Sequence, residues 1–192
     1  MSAVAPSSQL ISELGLEAHP EGGYYKLTDL QENQIASPFA DDKPRPMSTS
    51  IFYLLSHDRP RGVIHMNKSV TYHVLHQGRA RYTLIHPTSP PKIEHHIMGP
   101  NEAEGETRML LVGTGVWKMS ELPQEDLDTA EAAPTDAEKE QARNRVNCLI
   151  TEVVVPGFDW DDHKYLTREG LEKLFEGDEE KFKRFERDLK VV

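Results

Sequence analysis

Short segments rich in β-branched and aromatic residues recur along most of the chain. They include STSIFYLLS (48–56), RARYTLIHP (79–87) and KIEHHIM (92–98), and turns rich in Gly, Pro and Ser separate them. RMLLVGTGVWKMSEL (108–122) has the pattern of two strands around a Gly-Thr-Gly turn, and NCLITEVVVPGFDW (147–160) has the strongest strand pattern. Many short strands joined by such turns predict an all-β sandwich or barrel.

Helical periodicity is confined to the two ends of the chain and to one polar insertion. A short amphipathic helix is predicted near the amino terminus, and two more follow the last strand. In the final helix, Phe182, Phe185 and Leu189 form an apolar stripe that we expect to pack on the β-core. Residues 31–48 are polar and contain three prolines, which predicts a loop.

The chain length suits one domain with a sizeable core. We therefore predict a single domain over residues 1–192, with its core at about 10–165. An acidic, alanine-rich insertion at 123–146 is expected to carry a short exposed helix, and the C-terminal helices are placed at 167–190.

Composition restricts the partners and the compartment. The 22 basic and 32 acidic residues give a net charge of −10 without a basic stripe, so we expect neither nucleic acid nor an anionic membrane as a partner. The single cysteine, Cys148, cannot form an internal disulfide, which favours a reducing compartment. No secretory signal or membrane-span pattern is found, and we expect a cytoplasmic protein.

The segment GVIHMNKSVTYHVLHQG (62–78) holds three histidines. Strand alternation places His76 on the opposite face from the other two. His65 and His73 are eight residues apart, about 26 Å along a strand, unless the NKS tripeptide between them turns the chain. For His73 alone, the pattern favours a hydrogen-bonded barrel histidine over a metal ligand.

Two motifs and two longer segments indicate a known family. The spacing of the first motif is His65-x-Asn67-x3-Thr71-x6-Gly78, and that of the second is Gly113-x-Gly115-x2-Lys118. These resemble the paired motifs of the cupins, and with HPEGGYYKLTD near the start and EVVVPGFDWDDH near the end the chain resembles the type-5 cupins. The resemblance implies an all-β double-stranded β-helix, the cupin jelly roll, with short terminal helices and a homodimeric assembly.

The chain departs from the cupin pattern at the metal positions. The family uses His, His, Glu and His there, where this sequence has His65, Asn67, Thr71 and Lys118. Asparagine and threonine are poor ligands for a first-row metal, and a lysine cation repels one. We therefore expect no metal and no other cofactor.

A more distant resemblance, to the metal-free deoxysugar-nucleotide epimerases, implies catalytic roles. By that resemblance His65 is the base, a tyrosine is the acid and a carboxylate orients the histidine. Tyr82 and Glu152 are the candidates for the last two roles, with ordinary strand packing as the alternative for Tyr82. Lys118 suits an electrophilic role that stabilises a developing anion. The expected ligand-binding residues are Glu21, Asn67, Thr71 and His73.

Three functional hypotheses remain open on the sequence. The first is an isomerase, epimerase or lyase that acts on a small polar carbonyl compound, nucleotide sugars included. The second is a non-catalytic barrel that binds a small ligand, and the third is a metal-dependent dioxygenase. Arg79, Arg81 and Arg108 are the candidates for holding a nucleotide. The alternative for Arg79 and Arg81, which share one face next to Gly78, is that they face water.

Overall fold

The computed structural model describes residues 4–190. Thirteen strands are found in this range. They are β1 (Glu17–Ala18), β2 (Tyr24–Leu30), β3 (Gln34–Ala36), β4 (Pro44–Pro46), β5 (Thr49–Ser56), β6 (His65–Asn67), β7 (Val70–Gly78), β8 (Ala80–His86), β9 (Lys92–Met98), β10 (Met109–Val112), β11 (Trp117–Glu121), β12 (Asn147–Val155) and β13 (His163–Tyr165). The α-helices are α1 (Ser7–Leu14), α2 (Gln124–Glu131), α3 (Asp136–Arg145), α4 (Arg168–Leu174) and α5 (Glu179–Glu186).

Two antiparallel sheets form the body of the described chain. The first has the strand order β1-β2-β5-β12-β7-β10, and the second has the order β13-β6-β11-β8-β9. β3 and β4 form a separate hairpin. The mostly antiparallel architecture with few helices matches the all-β prediction, and the two-sheet arrangement is compatible with the expected jelly roll.

The apolar core lies between the two sheets. It draws on alternate residues of strands in both, because successive side chains of a strand point to opposite faces. Its buried members include Tyr53, Leu55, Leu75, Leu110, Val112 and Ile150 from the first sheet and Ala80, Tyr82, Leu84 and Met98 from the second.

The terminal helices cover the outer faces of the sheets. Leu10 of α1 packs with Leu54 and Leu149 of the first sheet. At the other end, Phe185 of α5 belongs to a buried cluster with Ile85 of β8, so the predicted packing of the C-terminal stripe is confirmed. Among residues 4–190, no helix is long and apolar enough to cross a membrane.

The chain changes sheets between His65 and His73, the point at which the NKS tripeptide was expected to turn. β6 belongs to the second sheet and β7 to the first. Alternate residues nevertheless stay buried from 65 to 75, so both histidines face the space between the sheets. The sheet crossing lets His65 and His73 lie closer together than the separation of about 26 Å that a continuous strand would impose.

Several elements differ from the sequence-based expectation, among them the short strands β1 and β13. β2 was not predicted, because its outer residues are exposed and only its start packs on the core. The predicted loop at 31–48 contains the β3–β4 hairpin. The insertion at 123–146 forms two helices instead of one.

Candidate functional site

Three buried polar side chains, Lys118, His73 and Glu152, meet between the two sheets, and we call them the lysine cluster. His73 and Glu152 are register partners on β7 and β12, whereas Lys118 reaches them from β11 in the second sheet. The Nζ of Lys118 lies 2.6 Å from Oε1 of Glu152 and 3.1 Å from Nε2 of His73. Nε2 of His73 lies 3.3 Å from Oε2 of Glu152.

Opposite charges balance within the lysine cluster. Burial by itself would raise the pKa of Glu152, but Lys118 and His73 outweigh it and hold that pKa well below its usual value. Burial lowers the pKa of His73, Lys118 lowers it further, and Glu152 opposes both. Because an ammonium group offers only donors, Nε2 of His73 accepts a hydrogen bond from Lys118.

A second buried group consists of Glu21, His65 and His163, which we call the two-histidine cluster. Oε1 of Glu21 lies 2.6 Å from Nε2 of His163, and Oε2 lies 3.3 Å from Nε2 of His65. The two imidazole rings stack with centroids 5.5 Å apart. One ligating atom from each of the three residues lies within 4.8 Å of the other two.

A glycine turn after β1 places Glu21 beside β6. Gly22 has a φ of 98°, and a Cβ at this position would lie 2.3 Å from the Arg61 carbonyl oxygen, so only glycine fits without displacement. The Glu21 carbonyl accepts a hydrogen bond of 2.8 Å from the Val63 N–H. The Val63 carbonyl in turn lies 2.9 Å from Nδ1 of His65. The backbone of Val63 therefore holds both Glu21 and His65 in place.

His163 is positioned by its neighbours in the chain and by aromatic rings. Arg45 donates to both carboxylate oxygens of Asp162, at 2.7 and 3.2 Å, and so anchors the residue before His163. The ring of Tyr165 lies 4.6 Å and that of Trp160 lies 5.2 Å from the imidazole. This shell leaves His163 little freedom to turn away from Glu21.

Burial and charge set the protonation of Glu21 and His65. Burial by itself would raise the pKa of Glu21, but His65, His163 and His19 outweigh it and lower that pKa to about 2. Burial lowers the pKa of His65 to about 4, with Lys118 acting in the same direction and Glu21 against it. At neutral pH Glu21 is therefore a carboxylate and His65 a neutral imidazole.

Two cavities adjoin these clusters. The outer pocket opens to solvent and has a volume of about 300 Å³. Its polar lining residues include His19, Glu21, Asn67 and Glu152, and its apolar and aromatic ones include Tyr25, Ile51, Val154, Phe158 and Trp160. The inner cavity is only about 10 Å³ and is lined by Glu21, Tyr53, His65, His73, Tyr82, Lys118, Met119, Ser120 and Glu152. Glu21 and Glu152 line both cavities.

Most of the predicted site residues meet at the inner cavity. These are Glu21, His65, His73, Tyr82, Lys118 and Glu152. Asn67 lines the outer pocket, and Thr71 is buried without lining either cavity. Tyr82 lies behind His73, with ring centroids 5.2 Å apart, and burial raises its pKa well above the usual value. The catalytic roles of His65, Tyr82 and Lys118 stay predictions, as do the expected ligand contacts of Glu21, Asn67, Thr71 and His73.

Two sequence-based assignments change with the geometry. The carboxylate beside His65 is Glu21 rather than Glu152, because Glu152 lies on β12, next to β7 and not to β6. Glu152 instead offsets the charge of Lys118. The expectation that Lys118 is an uncompensated cation is therefore wrong.

The family's four metal positions do not form a ligand set here. Lys118 presents an ammonium group that is bound to Glu152 at 2.6 Å, and a hydroxyl at Thr71 is a poor ligand. These residues do not fit the metal of the family. The broader expectation, that the chain binds no metal at any site, stays a prediction.

The three candidate arginines lie away from the outer pocket. Arg79 is bonded to Glu106 at 2.6 Å, Arg81 lies 3.5 Å from Glu125, and Arg108 lies 3.6 Å from Glu102. None of the three lines the outer pocket. Their partners are acidic side chains of the protein itself, which leaves the nucleotide-binding role without support.

His163 was missed as a site residue. Its signal lies in the segment EVVVPGFDWDDH, which ends at His163 and indicates only the family resemblance. The strand that carries it has three residues, and its pairing with β6 is a long-range contact. A three-residue strand carries too little periodicity to be found from sequence.

The fold and the buried polar site define the class of the protein. Residues 8–166 match the family model described as cupin superfamily (DUF985), Cupin_5. The chain therefore belongs to this cupin family, as the motifs indicated.

The chain is similar to proteins from other organisms. It is 34% identical over 191 residues to an uncharacterised protein of Saccharomyces cerevisiae, covering 91% of this chain and 83% of the yeast protein. A hypothetical protein from Leishmania major superposes with a TM-score of 0.74 at 22% identity, covering 94% of this chain and 98% of that one. A crystal structure of a protein from Shewanella oneidensis superposes with a TM-score of 0.69 at 21% identity, covering 97% of this chain and 98% of that one. The two structures support the fold alone.

Proposed function

We propose that this protein is a double-stranded β-helix cupin that binds a small polar carbonyl compound in the outer pocket. We further propose that it moves a proton on that compound, as an isomerase, epimerase or lyase does. The observation that carries the proposal is the sharing of Glu21 and Glu152 between the outer pocket and the buried inner cavity. A ligand in the outer pocket would thus contact Glu21 and Glu152, whose protonation is controlled by the side chains around the inner cavity.

The lining of the outer pocket favours an unphosphorylated compound. Apolar and aromatic walls with a few polar groups are the usual composition of a small-molecule site. Among the described residues, no lysine or arginine lines this pocket. A diphosphate would therefore lack the bidentate arginine contacts that such groups normally receive. A free sugar or a small keto compound suits the pocket better than a nucleotide sugar.

Glu152 is the proposed proton acceptor. Its carboxylate takes a proton from a carbon next to the carbonyl group, and the electron pair of the broken C–H bond moves onto the carbonyl oxygen. The amide of Asn67, in the same pocket, donates to that oxygen. Lys118 keeps Glu152 ionised but also weakens it as a base. Substrates with an activated C–H bond are therefore favoured.

A non-catalytic binding barrel is the second candidate. The low pKa of Glu152, caused by Lys118 and His73 against the effect of burial, is the observation that favours it. A carboxylate held so firmly in its charged form is a good hydrogen-bond acceptor for ligand hydroxyl groups and a poor base.

A thermal-shift screen of unphosphorylated sugars and keto compounds tests the binding part. A ligand present at about 100 times its Kd adds about 2.7 kcal/mol, which raises the melting temperature by roughly 5–10 °C for a chain of this size. A nucleotide sugar that alone gives such a shift would contradict the proposal.

Proton transfer is tested with the ligand that emerges. In deuterium oxide the enzyme is expected to exchange one carbon-bound hydrogen of the ligand, which proton NMR detects. Glu152→Gln should lose the exchange and still bind the ligand, whereas the surface variant Glu131→Gln should retain both. Binding without exchange in the unmodified protein would identify it as a non-catalytic barrel.

We also propose a homodimer. Tyr72 and Val74 of β7 and Met109 and Leu111 of β10 are more than a third exposed on the outer face of the first sheet. A second copy of the chain would cover this apolar face, and β10 ends the sheet as an edge strand. Light scattering at micromolar concentration should give about twice the monomer mass of 21.8 kDa, and a monomer mass would refute the dimer.

A further inference from the structure

The two-histidine cluster balances a buried carboxylate with imidazoles alone, because within residues 4–190 no lysine or arginine forms an ion pair with Glu21. Glu21 brings a carboxylate, and the nearest side-chain atoms of His65 and His163 are imidazole nitrogens at 3.3 and 2.6 Å. All three residues are less than a tenth exposed. Buried carboxylates are normally paired with a cation or bound to a metal ion. In the lysine cluster Lys118 serves that purpose, and no lysine or arginine of the described chain bonds to Glu21.

The tautomer of His65 indicates the kind of ligand that the cluster is suited to bind. Nδ1 of His65 lies 2.9 Å from the Val63 carbonyl oxygen, and a carbonyl only accepts, so Nδ1 carries the proton. In the neutral imidazole the lone pair of Nε2 then faces the Glu21 carboxylate at 3.3 Å. Two acceptors thus face each other in a buried place, which is unfavourable unless a cation lies between them. A metal-bound histidine usually donates its other ring N–H to a carbonyl or carboxylate in this way.

We infer that Glu21, His65 and His163 bind one divalent first-row transition-metal ion, with Zn²⁺ as the best match. Two imidazoles and one carboxylate are a frequent ligand set for zinc and for non-haem iron, whereas Ca²⁺ and Mg²⁺ prefer all-oxygen sites. Ligand atoms about 2.1 Å from a tetrahedral ion lie about 3.4 Å apart. The 3.3 Å separation of Glu21 and His65 agrees with this value. The 2.6 Å hydrogen bond between Glu21 and His163 must open by less than about 1 Å as His163 releases its proton.

An unpartnered acceptor lies next to the proposed ion. Asn67 is the register partner of His163 and follows His65 by two residues, so the three share one face. Oδ1 of Asn67 is buried, and within residues 4–190 it has no hydrogen-bond partner. This oxygen is available as a further ligand or as an acceptor for a metal-bound ligand. Since Glu21 and Asn67 both line the outer pocket, an open coordination position would face that pocket.

The inferred site differs from the metal site of the family. It shares only His65 with the four family positions and recruits Glu21 from the glycine turn and His163 from β13. The objection that Lys118 would repel an ion is met by Glu152, whose Oε1 lies 2.6 Å from Nζ of that lysine. The pair is close to neutral and opposes a nearby ion far less than a free lysine cation would.

A cobalt titration tests the site on the complete chain without an affinity tag. After treatment with a chelator, Co²⁺ should give a visible absorption band of a low-coordinate nitrogen–oxygen site, saturating at one ion per chain, and Zn²⁺ should displace it. Glu21→Gln and His163→Asn should each weaken Co²⁺ binding at least tenfold. The control His76→Asn removes a histidine from the outer face, bonded to Thr151, and should leave binding unchanged.

A second readout on the unmodified protein covers the case in which a variant fails to fold. Nitrogen-15 NMR of the histidine rings should show Zn²⁺-dependent shifts at Nε2 of His65 and His163 and none at His76. No cobalt band, or a band that persists in both site variants, would overturn the inference, as would zinc shifts at other histidines only. The test involves no metabolite, so its failure is independent of the proposed proton transfer.

Discussion

The two buried clusters of this cupin resemble each other in composition but differ in charge balance. The lysine cluster contains a carboxylate, an imidazole and an ammonium group, and Lys118 contacts both partners directly. The two-histidine cluster contains a carboxylate and two imidazoles without an ammonium group. One cluster is therefore complete within the chain, whereas the other is arranged to receive a cation from outside.

Removing the ammonium group from the lysine cluster should have the largest effect. Lys118→Met leaves Glu152 as a buried, uncompensated charge, and breaking such a pair typically costs about 3–5 kcal/mol. Urea denaturation should record that loss in the free energy of unfolding. The double variant Lys118→Met/Glu152→Gln removes both charges and should recover a large part of it. Equal stability of the single and double variants would show that the charge pair does not control this cluster.

Supplying a cation to the two-histidine cluster should have the next largest effect. At about 100 times its Kd, Zn²⁺ should stabilise the unmodified protein by about 2.7 kcal/mol, measured as a higher melting temperature after removal of metal by a chelator. His163→Asn should lose this gain, and His76→Asn should keep it. An equal gain in all three proteins would mean that zinc binds elsewhere.

The glycine turn that positions Glu21 should be sensitive to a single methyl group. A Cβ on Gly22 would lie 2.3 Å from the Arg61 carbonyl oxygen, whereas one on Gly15 would lie 3.9 Å from its nearest atom, Nζ of Lys26. Both glycines have positive φ, so Gly15→Ala should cost only the conformational penalty of about 1–2 kcal/mol. Gly22→Ala should cost more and should also weaken Co²⁺ binding. Equal costs would indicate that the turn yields without moving Glu21.

The pH dependence of stability should report the smallest difference. Because the folded-state pKa of Glu152 is depressed, its contribution is fully present above its unfolded pKa of about 4.3 and is lost as the pH falls through the folded value. Glu152→Gln should therefore lose less stability than the unmodified protein on acidification below about pH 4. Parallel stability curves for the two proteins would contradict the assigned shift.

The sequence predicted the parts of the fold that have strong local patterns. The strands at 49–56, 80–86 and 147–155 and the inward alternation from His65 onwards follow from residue periodicity. Most of the candidate site residues also converge, because the cupin motifs fix which strand positions face inward. Compartment, oligomeric state and catalytic roles stay predictions.

The remaining parts of the candidate site depend on long-range contacts, which no local sequence pattern predicts. Lys118 is the neighbour of Glu152 because the two sheets face each other. The spacing of residues within one strand does not predict which residues meet across the two sheets. Glu21 reaches His65 through a turn whose main chain is held by Val63. His163 joins them on a strand of three residues, pinned by the ion pair between Arg45 and Asp162. Each of these contacts joins segments that are far apart in the chain.

The most direct test of the contrast between the two clusters is anomalous diffraction from crystals of the zinc-loaded protein at the zinc absorption edge. We expect one strong peak bounded by Glu21, His65 and His163, with ligand distances of about 2.0–2.2 Å, and no peak at Lys118, His73 and Glu152. A peak at the lysine cluster, or full zinc loading without a peak between Glu21 and the two histidines, would contradict this account.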